Sequence, residues 1–312
     1  MKFLKSSAFK IALSAILLFL VFRLVGVKEV YASFLSVNLA YLLISLVFVF
    51  VLILLKAMRW RNIAAALKAH ISLADSIKYT LISFAFGFVT PGRVGEFIKT
   101  KYLADKSQSG YFKSFLTVVI DKFFDVIASL GLASLGIAFM DIPLPFSDFL
   151  ILPFALYMLV LASAFLFFDK ALKIAKYFAK RLIPKKYRDN LKSIYITKEL
   201  CFSSLGMSFL IWVFLSVTGF FVLKSLGVST VSLLVVIVAI PLMALSSMLP
   251  ISLGGIGIRE FVAISFFSFM GITAEKSTAF SLIYTFVTMA PAIIGAILYV
   301  KVKAKKKQMD PD

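Results

Sequence analysis

Blocks of about 20 apolar residues recur along this chain between clusters of lysine and arginine, and that is the length one helix needs to cross the hydrocarbon of a bilayer. The clear blocks run from Phe9 to Val27, Leu39 to Leu55, Phe115 to Met140, Phe149 to Phe168, Cys201 to Leu223 and Ser277 to Val300. A soluble core has no use for so much apolar surface. Of the 312 residues 61% are hydrophobic and 16% charged, against roughly half and a quarter in an ordinary soluble domain. The first block is too long for a signal core and lacks an A-x-A-like cleavage site, so it reads as the first span. The expected fold is an all-α polytopic membrane protein.

A formal charge of +19 raises nucleic acid as a partner. Position argues against it, because the basic residues sit in the short gaps between spans, as they do on the cytoplasmic side of membrane proteins, with no folded basic domain beside them. A single cysteine, Cys201, excludes an internal disulfide. With one histidine, His70, there is no His/Cys cluster of metal spacing. The sequence implies neither a metal nor a cofactor.

Two further apolar stretches are interrupted. Ser76 to Thr90 breaks at Pro91-Gly92-Arg93-Val94-Gly95-Glu96, and Val231 to Leu249 breaks at Pro250 and Gly254-Gly255-Ile256-Gly257 ahead of Arg259-Glu260. The positive-inside rule then orders the chain. Lys2, Lys5 and Lys10 put the N-terminus in the cytoplasm, Lys56, Arg59, Arg61 and Lys68 return it there after two spans, and Lys99, Lys101, Lys106 and Lys113 keep it there after the first interrupted stretch. The acidic loop Asp141 to Asp148 lies outside, the basic stretch Lys170 to Lys198 inside, and the tail Lys301 to Lys307 inside. The first interrupted stretch starts and ends inside, and the second starts and ends outside. Each is a re-entrant hairpin or a pair of broken helices.

Span, span, interrupted stretch, span is thus expected twice, the second time upside down: about eight membrane segments in two inverted repeats. The boundaries are 1–140 for the first repeat, with its broken helix near 76–104, and 141–300 for the second, with its broken helix at 231–271. A basic cytoplasmic tail follows at 301–312. The plainer alternative is two helices kinked at proline for packing. Paired Gly/Pro interruptions in two halves point to a transporter's binding site. Within 170–198, Leu172, Ile174, Ala175, Phe178 and Leu182 interleave with Lys173, Lys176, Lys180 and Arg181, the pattern of an amphipathic helix lying on an anionic membrane surface.

Ionisable side chains inside a membrane cost several kcal/mol unless paired or hydrated, so each is a candidate for function. Arg93 and Glu96 follow the first break, and Arg259 and Glu260 the second. An arginine offers a bidentate fork to a phosphate, and a restarting helix offers its N-terminal N–H groups. Glu96 and Glu260 would moderate that charge. Pro91, Gly92, Gly95, Pro250, Gly254, Gly255 and Gly257 would make the tight turns. Asp121 and Asp125, four apart on one helix face, either pair with Arg93 or Arg259 across a cavity, accept a coupling proton or cation, or cap the span at the inner interface. Arg59-Trp60-Arg61 reads as an interfacial anchor, and His70 as an interfacial side chain. Enzyme signatures are missing: Gly254-Gly255-Ile256-Gly257 lacks nucleotide-loop spacing, and there is no G-x-S-x-G elbow.

In order along nearly the whole chain, Pro91-Gly92-Arg93 with Gly95-Glu96, Asp121-Lys122 with Asp125, and Pro250 with Gly254-Gly255, Gly257 and Arg259-Glu260 resemble the flippase-like family typified by the transmembrane region of lysylphosphatidylglycerol synthases. The resemblance implies movement of a phospholipid between leaflets. It does not extend to the aminoacyl-transferase domain of the synthases, because this chain ends in a short Lys-rich tail, as the stand-alone members do. The expected function is a lipid flippase or scramblase in the cell membrane, moving an anionic phospholipid or polyprenyl phosphate. Two rivals are a non-catalytic partner of a lipid-modifying enzyme and a membrane-embedded lipid-phosphate transferase.

Overall fold

The computed structural model describes residues 25–139, 196–248 and 257–309, with isolated positions between them. The first span, the span 149–168, the acidic loop 141–148, most of 170–198, and Pro250 with Gly254 and Gly255 lie outside the described residues. All described regular structure is helical. The helices are α1 Val27–Leu35, α2 Leu39–Ala66, α3 Leu73–Val89, α4 Lys99–Ser107, α5 Tyr111–Phe139, α6 Lys198–Ser225, α7 Leu233–Met248, α8 Ile258–Ser268 and α9 Ala274–Met309, with a 3-10 turn at Pro91–Ile98 between α3 and α4. Three of them, α2, α6 and α9, are long and apolar enough to cross a membrane. At about 1.5 Å per residue, the 17 residues of α3 and the 16 of α7 each fall short of a hydrocarbon layer of about 30 Å.

Helix boundaries follow local chemistry. Asn38 Oδ1 accepts from Ala40 N–H at the start of α2, Ser72 Oγ from Asp75 N–H at α3, and Thr197 Oγ1 from Leu200 N–H at α6. At the end of α2, Ala69 N–H reaches Ala64 O with Lys68 in the left-handed region, and at the end of α6, Val228 N–H reaches Leu223 O around Gly227. Both ends close with the same orphan-carbonyl motif. Sequence reading carried the first span to Val27, whereas Gly26, at φ 89°, starts the short helix α1. A nine-residue helix holding Lys28 and Glu29 leaves no membrane signature.

The helices α2 and α6 run antiparallel along most of their length. Asn38 N–H bonds Ser225 O at 2.8 Å, Phe48 meets Phe214 with centroids 5.6 Å apart, and Arg59 donates to Ser208 Oγ near the other end. Around this pair the contacts come in matched sets. α3 packs on α9 and α5 on α7; α2 packs on α3 and α6 on α7; α4 packs on α5 and α8 on α9; α2 packs on α9 and α6 on α5. Exchanging α2, α3, α4 and α5 for α6, α7, α8 and α9 leaves this set of contacts unchanged.

The first interrupted stretch is a hairpin. Asp75 at the start of α3 pairs with Lys106 at the end of α4, 3.4 Å apart. Tyr79 stacks on Tyr102 with centroids 4.7 Å apart and planes 9° apart, and next to the turn Gly95 lies against Phe86. A Cβ on Gly95 would sit 2.2 Å from the Phe86 carbonyl oxygen. The return arm touches backbone here, which only glycine allows.

Candidate functional site

Two helix spacings build the charged centre. Lys56 and Arg59 project from α2 three residues apart, and Asp121 and Asp125 from α5 four apart, so each pair occupies one helix face. Arg59 is fully buried. Its Nε donates to Asp121 Oδ1 at 2.9 Å and its Nη1 to Asp125 Oδ1 at 2.7 Å. Lys99, from α4, donates to Asp121 Oδ2 at 3.0 Å, and Lys56 to Asp125 Oδ2 at 2.8 Å. Trp60 Nε1–H donates to Thr117 Oγ1 at 3.0 Å, and Trp212, from α6, donates to the Asp125 carbonyl at 3.0 Å. These bonds tie α2, α4, α5 and α6 together.

Buried carboxylates are tolerable only when paired and hydrogen-bonded, and Asp121 and Asp125 are both. The structure pairs them with Arg59, Lys56 and Lys99 rather than with Arg93 or Arg259. Arg59 and Trp60 are accordingly not interfacial anchors: both are fully buried, whereas Arg61 is exposed. The i,i+3 cations of α2 facing the i,i+4 carboxylates of α5 were visible as complementary spacings, a signal sequence reading did not use.

The turn between α3 and α4 carries Arg93 and Glu96. Gly92 and Arg93 both adopt left-handed backbone, with φ of 62° and 56°. Such a conformation costs a non-glycine residue of order 1–3 kcal/mol and marks a position worth functional scrutiny. Thr90 secures the turn, its hydroxyl donating to Phe86 O at 2.9 Å and accepting from Gly95 N–H at 2.7 Å. Glu96 is buried and paired with Lys122. Its distance to Arg93 is 3.8 Å, too long for a hydrogen bond.

In the second interrupted stretch, Arg259 and Glu260 lie in the first turn of α8. Glu260 is turned back on its own helix start, accepting from Gly257 N–H and from Ser281 Oγ, the latter at 2.9 Å. Arg259 is 8% exposed. Its Nε stands 3.8 Å from Glu260, and neither Nε nor Nη2 has a hydrogen-bond partner among the described residues.

A cavity between the two interrupted stretches brings these groups together. Among the described residues Lys56, Arg93, Lys122 and Arg259 line it, with Asp125 as the one carboxylate. Its other walls include Val49, Leu52, Phe84, Phe88 and Ile240, with the Tyr284 side chain also present. Phe84 lies between two of the cations, its ring centroid 5.9 Å from Lys56 Nζ and 5.7 Å from the Arg93 guanidinium carbon. Of the six candidates from sequence, Arg93, Asp125 and Arg259 face the cavity. Glu96, Asp121 and Glu260 stand behind it, each bonded to a neighbour. Lys56 and Lys122 were missed as lining residues, and Arg59 and Lys99 as partners of the carboxylates.

The family model described as the lysylphosphatidylglycerol synthase TM region matches residues 7–295. A UPF0104 membrane protein of Methanothermobacter thermautotrophicus is 22% identical, the alignment covering 96% of each chain. The UPF0104 membrane protein PH1989 of Pyrococcus horikoshii is also 22% identical, with 88% of this chain and 91% of that one covered.

Proposed function

Because the chain belongs to the lysylphosphatidylglycerol synthase transmembrane-region family, and is therefore a membrane protein, we propose that it moves an anionic lipid between leaflets, binding the headgroup in the cavity between its interrupted stretches. One observation carries this reading: among the described residues the cavity wall holds four cations to one carboxylate, and two donor nitrogens of the buried Arg259 have no partner there. A buried, unpaired cation costs several kcal/mol, and an anionic ligand would recover that cost. Arg93 and Arg259 bind the headgroup; Glu96, Asp121 and Asp125 hold the surrounding cations in place, and Glu260, 3.8 Å from Arg259, moderates its charge. The apolar wall lets the tails stay in the bilayer.

The matched packing supports two inverted repeats, at 1–140 and 141–300. Antiparallel α2 and α6 are what that relation requires of equivalent helices. The hairpin of α3 and α4 supports a re-entrant first stretch that starts and ends in the cytoplasm, in a cell-membrane protein with both termini inside.

The test is leaflet transfer of fluorescent anionic and zwitterionic phospholipids in proteoliposomes, comparing wild type with Arg259→Ala and Arg93→Ala. Transfer of the anionic lipid by wild type, lost in either variant while the fold persists, is expected. Unchanged transfer in both variants sinks the site.

A further inference from the structure

Around the cavity stand the cations Lys56, Arg59, Arg93, Lys99, Lys122 and Arg259 and the carboxylates Glu96, Asp121, Asp125 and Glu260, in direct ion-pair contact with one another. Among the described residues six positive groups face four negative ones, an excess of two that belongs to the set as a whole. Arg59 and Lys99 are held by Asp121, Lys56 by Asp125 and Lys122 by Glu96, while Glu260 is taken up by Gly257 N–H and Ser281. Arg93 and Arg259 are the two cations of this set with no carboxylate of the described residues within hydrogen-bonding distance. Each stands 3.8 Å from its neighbouring carboxylate, and both line the same cavity.

Resting on the lipid-binding reading above, we infer that the ligand presents two negative charges on one group, a terminal phosphate monoester, rather than the single charge of a phosphodiester. A monoester carries about −1.5 to −2 at neutral pH on three terminal oxygens, enough for two guanidinium forks. A diester offers one charge and two non-bridging oxygens, and would leave one of the two excess positive charges of the cluster uncompensated. The apolar wall formed by Val49, Leu52, Phe84 and Phe88 favours a lipid-borne phosphate over the free ion.

The experiment measures binding of phosphatidic acid, phosphatidylglycerol of the same chains, and inorganic phosphate to the full chain in nanodiscs, with leaflet transfer of both lipids measured in parallel. At pH 7.5 phosphatidic acid should bind at least about tenfold more tightly than phosphatidylglycerol, a step of about 1.4 kcal/mol. The preference should shrink below a pH of about 6, where the phosphate dianion takes up one proton and becomes a monoanion. Arg93→Gln and Arg259→Gln should each abolish the preference while the melting temperature stays near that of wild type, which shows that the variant is folded. Arg259→Lys, keeping charge without the fork, should fall between. Equal affinity for the two lipids overturns the inference, and equal transfer with it leaves lipid movement standing. Preferential binding of phosphatidic acid without transfer keeps the inference and overturns movement. Inorganic phosphate binding as tightly as phosphatidic acid overturns the lipid-borne source.

Discussion

The Arg59 guanidinium meets one oxygen of Asp121 with two of its nitrogens, Nε at 2.9 Å and Nη2 at 2.8 Å. A third nitrogen reaches Asp125 on the next turn of α5. Buried ion pairs add little net stability when compared with apolar packing, yet removing one partner leaves a charge stranded. Here one arginine bridges two carboxylates that Lys99 and Lys56 also contact, so its loss should be felt at both.

Arg59→Met should therefore destabilise the fold by at least about 3–5 kcal/mol. Arg59→Lys should recover only part of this, because an ammonium lacks the planar fork. Thermal unfolding in detergent checks both, and a fully stable lysine variant would show that charge alone, without the fork, holds the pair.

Lys122→Gln should behave differently. Lys122 is 22% exposed at its side chain and its partner Glu96 keeps Arg93 within 3.8 Å, so stability should fall by only about 1 kcal/mol. Freed from Lys122, Glu96 should draw Arg93 closer and weaken phosphate binding. Binding of phosphatidic acid by this variant, set beside its melting temperature, separates the two effects.

Glycine positions give opposite outcomes according to space. Gly95→Ala and Gly295→Ala place a methyl 2.2 Å from the Phe86 carbonyl oxygen and 1.9 Å from that of Leu81, and each should cost about 1–3 kcal/mol or more. Gly206, inside α6, has nothing within 4 Å of where a Cβ would stand. Gly206→Ala should instead gain about 0.5–1 kcal/mol from helix propensity. Melting temperatures of the three variants decide.

The Tyr79–Tyr102 stack holds the hairpin arms. A double-mutant cycle with Tyr79→Ala and Tyr102→Ala should return a coupling of about 0.5–1.5 kcal/mol. Zero coupling would mean that the arms are held elsewhere.

Long spans were legible because α2, α6 and α9 carry their message in length and apolarity alone. The breaks at Pro91-Gly92 and before Arg259 were legible because proline and glycine punctuate helices. What could not be read was partnership. Nothing local to Arg59 distinguishes a buried bridge from an interfacial anchor; that depends on α5 lying beside α2, a long-range fact. Lys99 sits in a basic run and looks solvated, yet α4 folds back and delivers it, 3% exposed, to Asp121. Arg93 and Arg259 were singled out by their place after each break, since an arginine beside a glycine turn in an apolar stretch has few structural reasons to be there, and both line the cavity.

On the proposed repeat relation, α2–α6 is the pair of equivalent helices that packs against itself, so the axis relating the halves passes between them, near Phe48 and Phe214. A fulcrum lies where displacement is least. If transport proceeds by one half rocking against the other, spectroscopic labels at the middles of α2 and α6 should stay almost still, while Arg93 and Arg259, carried on separate halves, change their separation with each stroke.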